Sequence, residues 1–113
     1  MGGTRVQADD PLGFIQECVR NRRVFWTYHV NMRLRSRDIS RRAVYESVAG
    51  YEVIEAYPHD KYLPSYLVWT RHETEILHVL FAVDREGRNV RVITAYRPDL
   101  GEWVDGFRRR RPK

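Results

Sequence analysis

At Tyr51 the apolar residues change their period, and that change limits the chain to few folds. Upstream, apolar positions recur every three or four residues, as on a helix with one buried face. Downstream they gather into short runs rich in Val, Ile, Tyr and Trp with turn residues between them, as in strands. A chain of 113 residues has room for one core between two layers. Helices in sequence followed by strands therefore predict an α+β fold, with two to three N-terminal helices and then an antiparallel sheet of about four strands.

Asp10-Pro11 reads as an N-cap followed by proline at the first helical position. Leu12, Ile15 and Val19, flanked by Phe14 and Cys18, supply an apolar stripe, which predicts a helix from about Pro11 to Arg22. Cys18 lies on that stripe and reads as a packed thiol rather than a nucleophile. Val24-Phe25-Trp26 is a brief strand or the packed approach to a second helix. Thr27 caps that helix, with Val30 and Leu34 inward; Ser40 caps a third, with Ala43, Val44 and Val48 buried and Gly50 at its end.

Four strands are predicted in the second half: Tyr51–Tyr57, Tyr66–Arg71, Leu77–Asp84 and Val90–Tyr96. Short links make them a meander, the last two joined through Arg85-Glu86-Gly87-Arg88. Leu77–Asp84 is apolar on both faces, the mark of a central strand covered by helices on at least one side. Trp103 and Phe107 are expected to pack back on the body. Residues 1–9 are expected to be a flexible N-terminus, 10–107 a single domain and 108–113 a basic tail that leaves it.

Charge is concentrated. Residues 20–42 carry a formal +7 and residues 108–113 a formal +5, within a net charge of +5, and eighteen of the twenty basic side chains are arginine. A localised basic zone is the footprint of a polyanion or of an acidic protein partner. Inside it, His29, Arg33 and Arg37 stand at spacings of four, so a helix puts them on one face. Guanidiniums offer permanent bidentate donors and imidazole can move a proton near neutral pH, a combination suited to a phosphate-bearing ligand; a solvated basic helix face explains the same spacing.

Four other polar residues lie in apolar strands. His78, on a face with Leu80 and Ala82, is either a buried histidine bonded to backbone or a proton carrier. Glu55 is expected on one strand face with Val53 and Tyr57, either facing solvent or paired with an arginine. Thr94 and Tyr96 share a face of the last strand, where a tyrosine can donate to phosphate or transfer a proton. No metal site or cofactor is expected: the four histidines have no metal-binding spacing, and glycine-rich phosphate loops and nucleophile elbows are missing. With no membrane-length apolar run and no signal-like N-terminus, the expectation is a soluble, cytoplasmic chain without a membrane partner.

The run H-x-x-x-R-x-x-x-R-x-I-S, formed by His29, Arg33, Arg37, Ile39 and Ser40, looks like the start of the DUF4258 family of domains of unknown function. Further matches follow in order: Glu55, Tyr57 and Pro58; Leu77-His78-Val79; Ile93-Thr94-Ala95-Tyr96; Pro98-Asp99; and Trp103. They cover about residues 10–104. One departure is Asp38, where the family often has glycine, a matter of turn geometry. The order of helices then sheet is also similar to the RelE and BrnT toxin ribonucleases, in which a small antiparallel sheet carries a metal-free site for cutting RNA. Ile93-Thr94-Ala95-Tyr96 resembles the Ile-Ser-Ala-Arg type of run that ends the BrnT sheet.

This second resemblance implies a metal-independent endoribonuclease acting through the 2′-hydroxyl. His29 or His78 would transfer the proton, with Glu55 as an alternative base. Arg33 and Arg37 would hold phosphate charge, and Tyr96 would assist. RNA and an acidic antitoxin-like protein are the implied partners. Two other readings stay open: a non-catalytic module that binds nucleic acid or a partner protein, and a purely architectural role in which His29 and Arg37 brace the helix pair against Glu55.

Overall fold

The computed structural model describes residues 10–112. The expected flexible segment 1–9 lies outside them. Three helices precede a sheet: α1 (Pro11–Arg20), α2 (Tyr28–Ser36) and α3 (Arg41–Glu46), followed by a single 3₁₀ turn, Val48–Gly50. Asp10, Thr27 and Ser40 all stand at N-cap positions, but Asp10 makes no side-chain hydrogen bond to its helix, whereas the other two act as the sequence indicates. Thr27 Oγ1 accepts from the Val30 amide and Ser40 Oγ from the Ala43 amide, each at 3.1 Å. α1 is shorter than its stripe suggests, because the chain turns at Arg22 with φ of 60°.

Strands β1 (Val24–Trp26), β2 (Glu52–Tyr57), β3 (Ser65–His72), β4 (Glu75–Asp84) and β5 (Asn89–Tyr96) form one sheet in the order β1-β5-β4-β3-β2. β2 to β5 are the expected antiparallel meander, with β4 at the centre. The fifth strand is β1, which lies parallel to β5, Val24 beside Val90 and Trp26 beside Val92. In the β4–β5 hairpin the left-handed residue is Arg88 (φ 56°). Gly87 serves instead for close approach: its amide donates to Asp84 Oδ1, and a Cβ there would stand 2.6 Å from Asp84 Oδ2.

All three helices lie on one face of the sheet. Ile15, Cys18 and Val19 of α1, Val30 and Leu34 of α2 and Ala43 and Val44 of α3 enclose one core with Val68, Val79, Phe81, Val83, Val90, Val92 and Ala95. Cys18 is buried there, and burial raises its pKa.

Two β-bulges decide what the opposite, open face presents. In β2 the register slips between Val53 and Glu55, so Val53 pairs with Val68 but Glu55 pairs with Leu67. Glu55 therefore leaves the face of Val53 and joins Glu52 and Tyr57 on the open side. The expectation of a face shared by Val53 and Glu55 is overturned by that extra residue, Ile54. In β5 the slip falls at Ile93, because Thr94 pairs with Leu80 and Val92 with Phe81. Val90 and Val92 thus face the helices, while Thr94 and Tyr96 face outward beside Leu80 and His78.

The C-terminal residues fold back over part of this face. β6 (Trp103–Val104) and β7 (Arg109–Arg110) make a two-stranded hairpin. The arginine segment, expected to leave the body, is instead tied to it. Arg108 makes paired bonds of 2.8 and 3.0 Å to Glu52, and Arg110 bonds of 2.7 and 3.2 Å to Glu55. Arg111 reaches the Leu100 carbonyl at 2.8 Å. Among the described residues no helix is long and apolar enough to cross a membrane.

Candidate functional site

The six residues singled out by sequence fall into three neighbouring places: His29 and Arg33 at a groove beside β5, Arg37 at a joint on the β5 edge, and Glu55, His78 and Tyr96 on the open face. The first is a groove of about 590 Å³. Its floor is Ala82, Arg91 and Thr94; one wall is the α2 side with Thr27, His29 and Arg33, and the other is the β2–β3 loop with Lys61 and Tyr62. The four-residue spacing on α2 brings His29 and Arg33 to this wall one above the other. Both side chains are exposed. Neither they nor Lys61 has a hydrogen-bonding or ion-pair partner among the described residues. Arg91 reaches Asp84 only at 3.4 Å, and Asp60, the acidic residue in the lining, receives the Ser65 hydroxyl. The groove is therefore cationic, with one imidazole at its wall.

Arg37 follows one turn later and has a structural task. Its Nη1 donates to Thr94 Oγ1 at 3.2 Å and to the Ala95 carbonyl at 2.7 Å. β1 pairs with β5 only through Val92, so beyond that point the β5 edge lacks a strand neighbour, and Arg37 satisfies a carbonyl there. Arg97 completes the joint, donating to the Arg37 and Asp38 carbonyls while paired with Glu75 at 2.7 Å. Arg37 thus braces α2 against β5, not against Glu55.

The last of these places is partly covered, with Glu55 and Tyr96 half-buried. His78 is fully buried beneath the hairpin. One ring nitrogen lies 2.7 Å from the Phe107 carbonyl and the other 3.2 Å from the Tyr96 hydroxyl. A carbonyl only accepts, so Nε2 carries the proton and Nδ1 accepts from Tyr96. Trp103 stands edge-on to the ring at 4.4 Å. Burial holds the His78 pKa below its ordinary value, against the opposing effect of the hydrogen bond that its ring donates to the Phe107 carbonyl. Burial likewise raises the Tyr96 pKa.

Glu55 is engaged as well. Burial alone would raise its pKa, but hydrogen bonds from Arg110 and Tyr57, with the charge of Arg110, outweigh that and lower it. It remains an ionised ion-pair partner. His78, Tyr96 and Glu55 are therefore not brought to the groove of His29 and Arg33. The candidates first proposed as a single catalytic set do not converge.

Sequence reasoning passed over Lys61, Tyr62 and Arg91. Arg91 had a visible signal, a lone cation between Val90 and Val92 in an otherwise apolar strand. Lys61 and Tyr62 lay in a loop whose course over the sheet no local pattern encodes. Among the described residues no group of three or more His, Cys, Asp or Glu side chains is placed to hold a metal ion.

No curated protein and no solved structure matches this chain. A family model does match, described as a domain of unknown function (DUF4258), over residues 26–97. That span starts at Trp26, contains all six candidate residues and both bulges, and stops before the C-terminal hairpin. The match extends over more than half of the sequence, and the chain belongs to the DUF4258 family.

Proposed function

We propose that the groove binds RNA and that the protein is an endoribonuclease of the toxin type, cleaving at the 2′-hydroxyl without a metal ion. The observation that carries this reading is the convergence of His29, Arg33, Lys61 and Arg91 around one open groove. Phosphodiester transfer needs a base for the 2′-hydroxyl and cations for the charge of the phosphorane. His29 removes the proton. Arg33, Lys61 and Arg91 hold the developing charge, and solvent in the open groove protonates the departing 5′-oxygen. The remote resemblance to the RelE and BrnT toxins supports the same chemistry. An acidic antitoxin-like protein would compete for the same cations.

A second reading, a non-catalytic RNA-binding module, is favoured by a specific observation: His78, Tyr96 and Glu55 are occupied elsewhere, leaving one titratable imidazole in the groove. The test is cleavage of a mixed RNA pool in EDTA by the wild type, His29→Ala and Arg33→Ala. General acid–base groups contribute about 10²–10⁴-fold, so His29→Ala is expected to lose at least about 100-fold in rate while still binding RNA. Salt-sensitive binding without cleavage by the wild type selects the second reading. Absence of both removes RNA from the account.

A further inference from the structure

We propose that Phe25 and Tyr62 are stacking platforms at two rims of the groove, so that the site selects a strand with unpaired bases. The proposal rests on reading the groove as an RNA site and deepens it by naming the form of RNA. Phe25 is the middle residue of β1, directly beside Arg91 in the register, and its neighbours Val24 and Trp26 face the helices. Its ring thus extends the open face past the groove floor. It is 56 % exposed, and Tyr62, on the β2–β3 loop, is 84 % exposed.

Each ring has a cation from the groove lining beside it. The Arg91 guanidinium carbon is 6.0 Å from the Phe25 centroid, and Lys61 Nζ is 5.2 Å from that of Tyr62. Other cation–aromatic pairs in the described residues use rings that are buried or half-buried, including Tyr45, Trp26, Trp69 and Trp103. There the cation covers a ring already packed. At Phe25 and Tyr62 the rings keep an open face in water, an arrangement without benefit to the core.

A nucleotide presents a phosphate and a flat π surface, and a cation next to an exposed ring answers both. A duplex keeps its bases stacked inside and offers phosphates, 2′-hydroxyls and base edges but no free base face. Two such pairs, on different sides of the groove, therefore favour a single strand whose successive bases can be splayed onto the rings.

The test measures binding of a uridine-rich, 2′-O-methyl oligonucleotide of about 12 nucleotides, within the usual range for single-strand sites. Methylation blocks cleavage through the 2′-oxygen. An abasic strand and a duplex of equal length are the comparisons. Loss of one stacking platform removes about 1–3 kcal/mol, so Phe25→Leu and Tyr62→Leu are each expected to weaken single-strand binding roughly 5- to 150-fold. Binding of the abasic strand and the slope against salt stay unchanged, because phosphate contacts remain. Phe25→Tyr and Tyr62→Phe keep wild-type affinity, which separates stacking from damage to the fold. Leucine variants that bind like the wild type overturn the stacking role, as does an equal loss on the abasic strand. In either case salt-sensitive wild-type binding leaves the groove reading intact. A wild type that binds none of the three probes overturns both.

Discussion

Between pH 6.5 and the lower value that burial imposes on His78, the unfolded chain binds a proton that the folded chain excludes. Stability therefore falls as pH drops through that window and is fully present above it. Urea melts across the window should show the midpoint falling on acidification, and in His78→Gln this component should vanish from a midpoint already lower at neutral pH. His29 on α2 and Arg37, the residue that caps its C-terminal end, allow the structural contribution to be tested apart from the proposed chemistry. Arg37→Ala removes charge-assisted bonds to Thr94 and Ala95 and is expected to cost about 1.5–3 kcal/mol in denaturant melts. His29→Ala, at an exposed position, is expected to stay within about 0.5 kcal/mol. The spacing that puts both on one face was legible in the sequence. Their different tasks were not, because the partners of Arg37 lie in β5, at the far end of the chain.

Element boundaries were readable where a side chain acts on its own backbone, as Thr27 and Ser40 do at their helix starts. The bulges were not, since one extra residue in a strand leaves no mark on a run such as Glu52–Tyr57. Yet they put Glu55, Thr94 and Tyr96 on the open face. The turn after α2 tests how much backbone geometry contributes. Asp38 adopts φ of 55° where the Ile39 amide returns to the Leu34 carbonyl at 2.9 Å. Glycine accepts that conformation without a Cβ clash, so Asp38→Gly should raise stability by up to about 1 kcal/mol, less the greater freedom it gives the unfolded chain. Thermal melts measure the balance. In the C-terminal hairpin, Trp103 is fully buried against His78, and Trp103→Ala is expected to cost about 3–5 kcal/mol. Three successive residues there, Asp105, Gly106 and Phe107, are left-handed, with the Gly106 and Phe107 carbonyls held by Trp69 and His78.

At the scale of the molecule, a meander of four strands under three helices followed from the change of period at Tyr51. The fifth strand, β1, was ambiguous because three residues are too few to show a period. Its place beside β5 has a kinetic consequence. Hairpins β2–β3, β3–β4 and β4–β5 each close a short loop, whereas β1 has nothing to pair with until β5 is in place. The strand that comes first in sequence is then expected to dock only after β5, with three residue pairs as its reward. In native-state hydrogen exchange the β1 amides should open at lower free energy than those of β4, through excursions that leave the meander intact. Phe25 rides on that strand, so its ring would swing away from Arg91 with each such opening while Arg91 and the Tyr62 side hold.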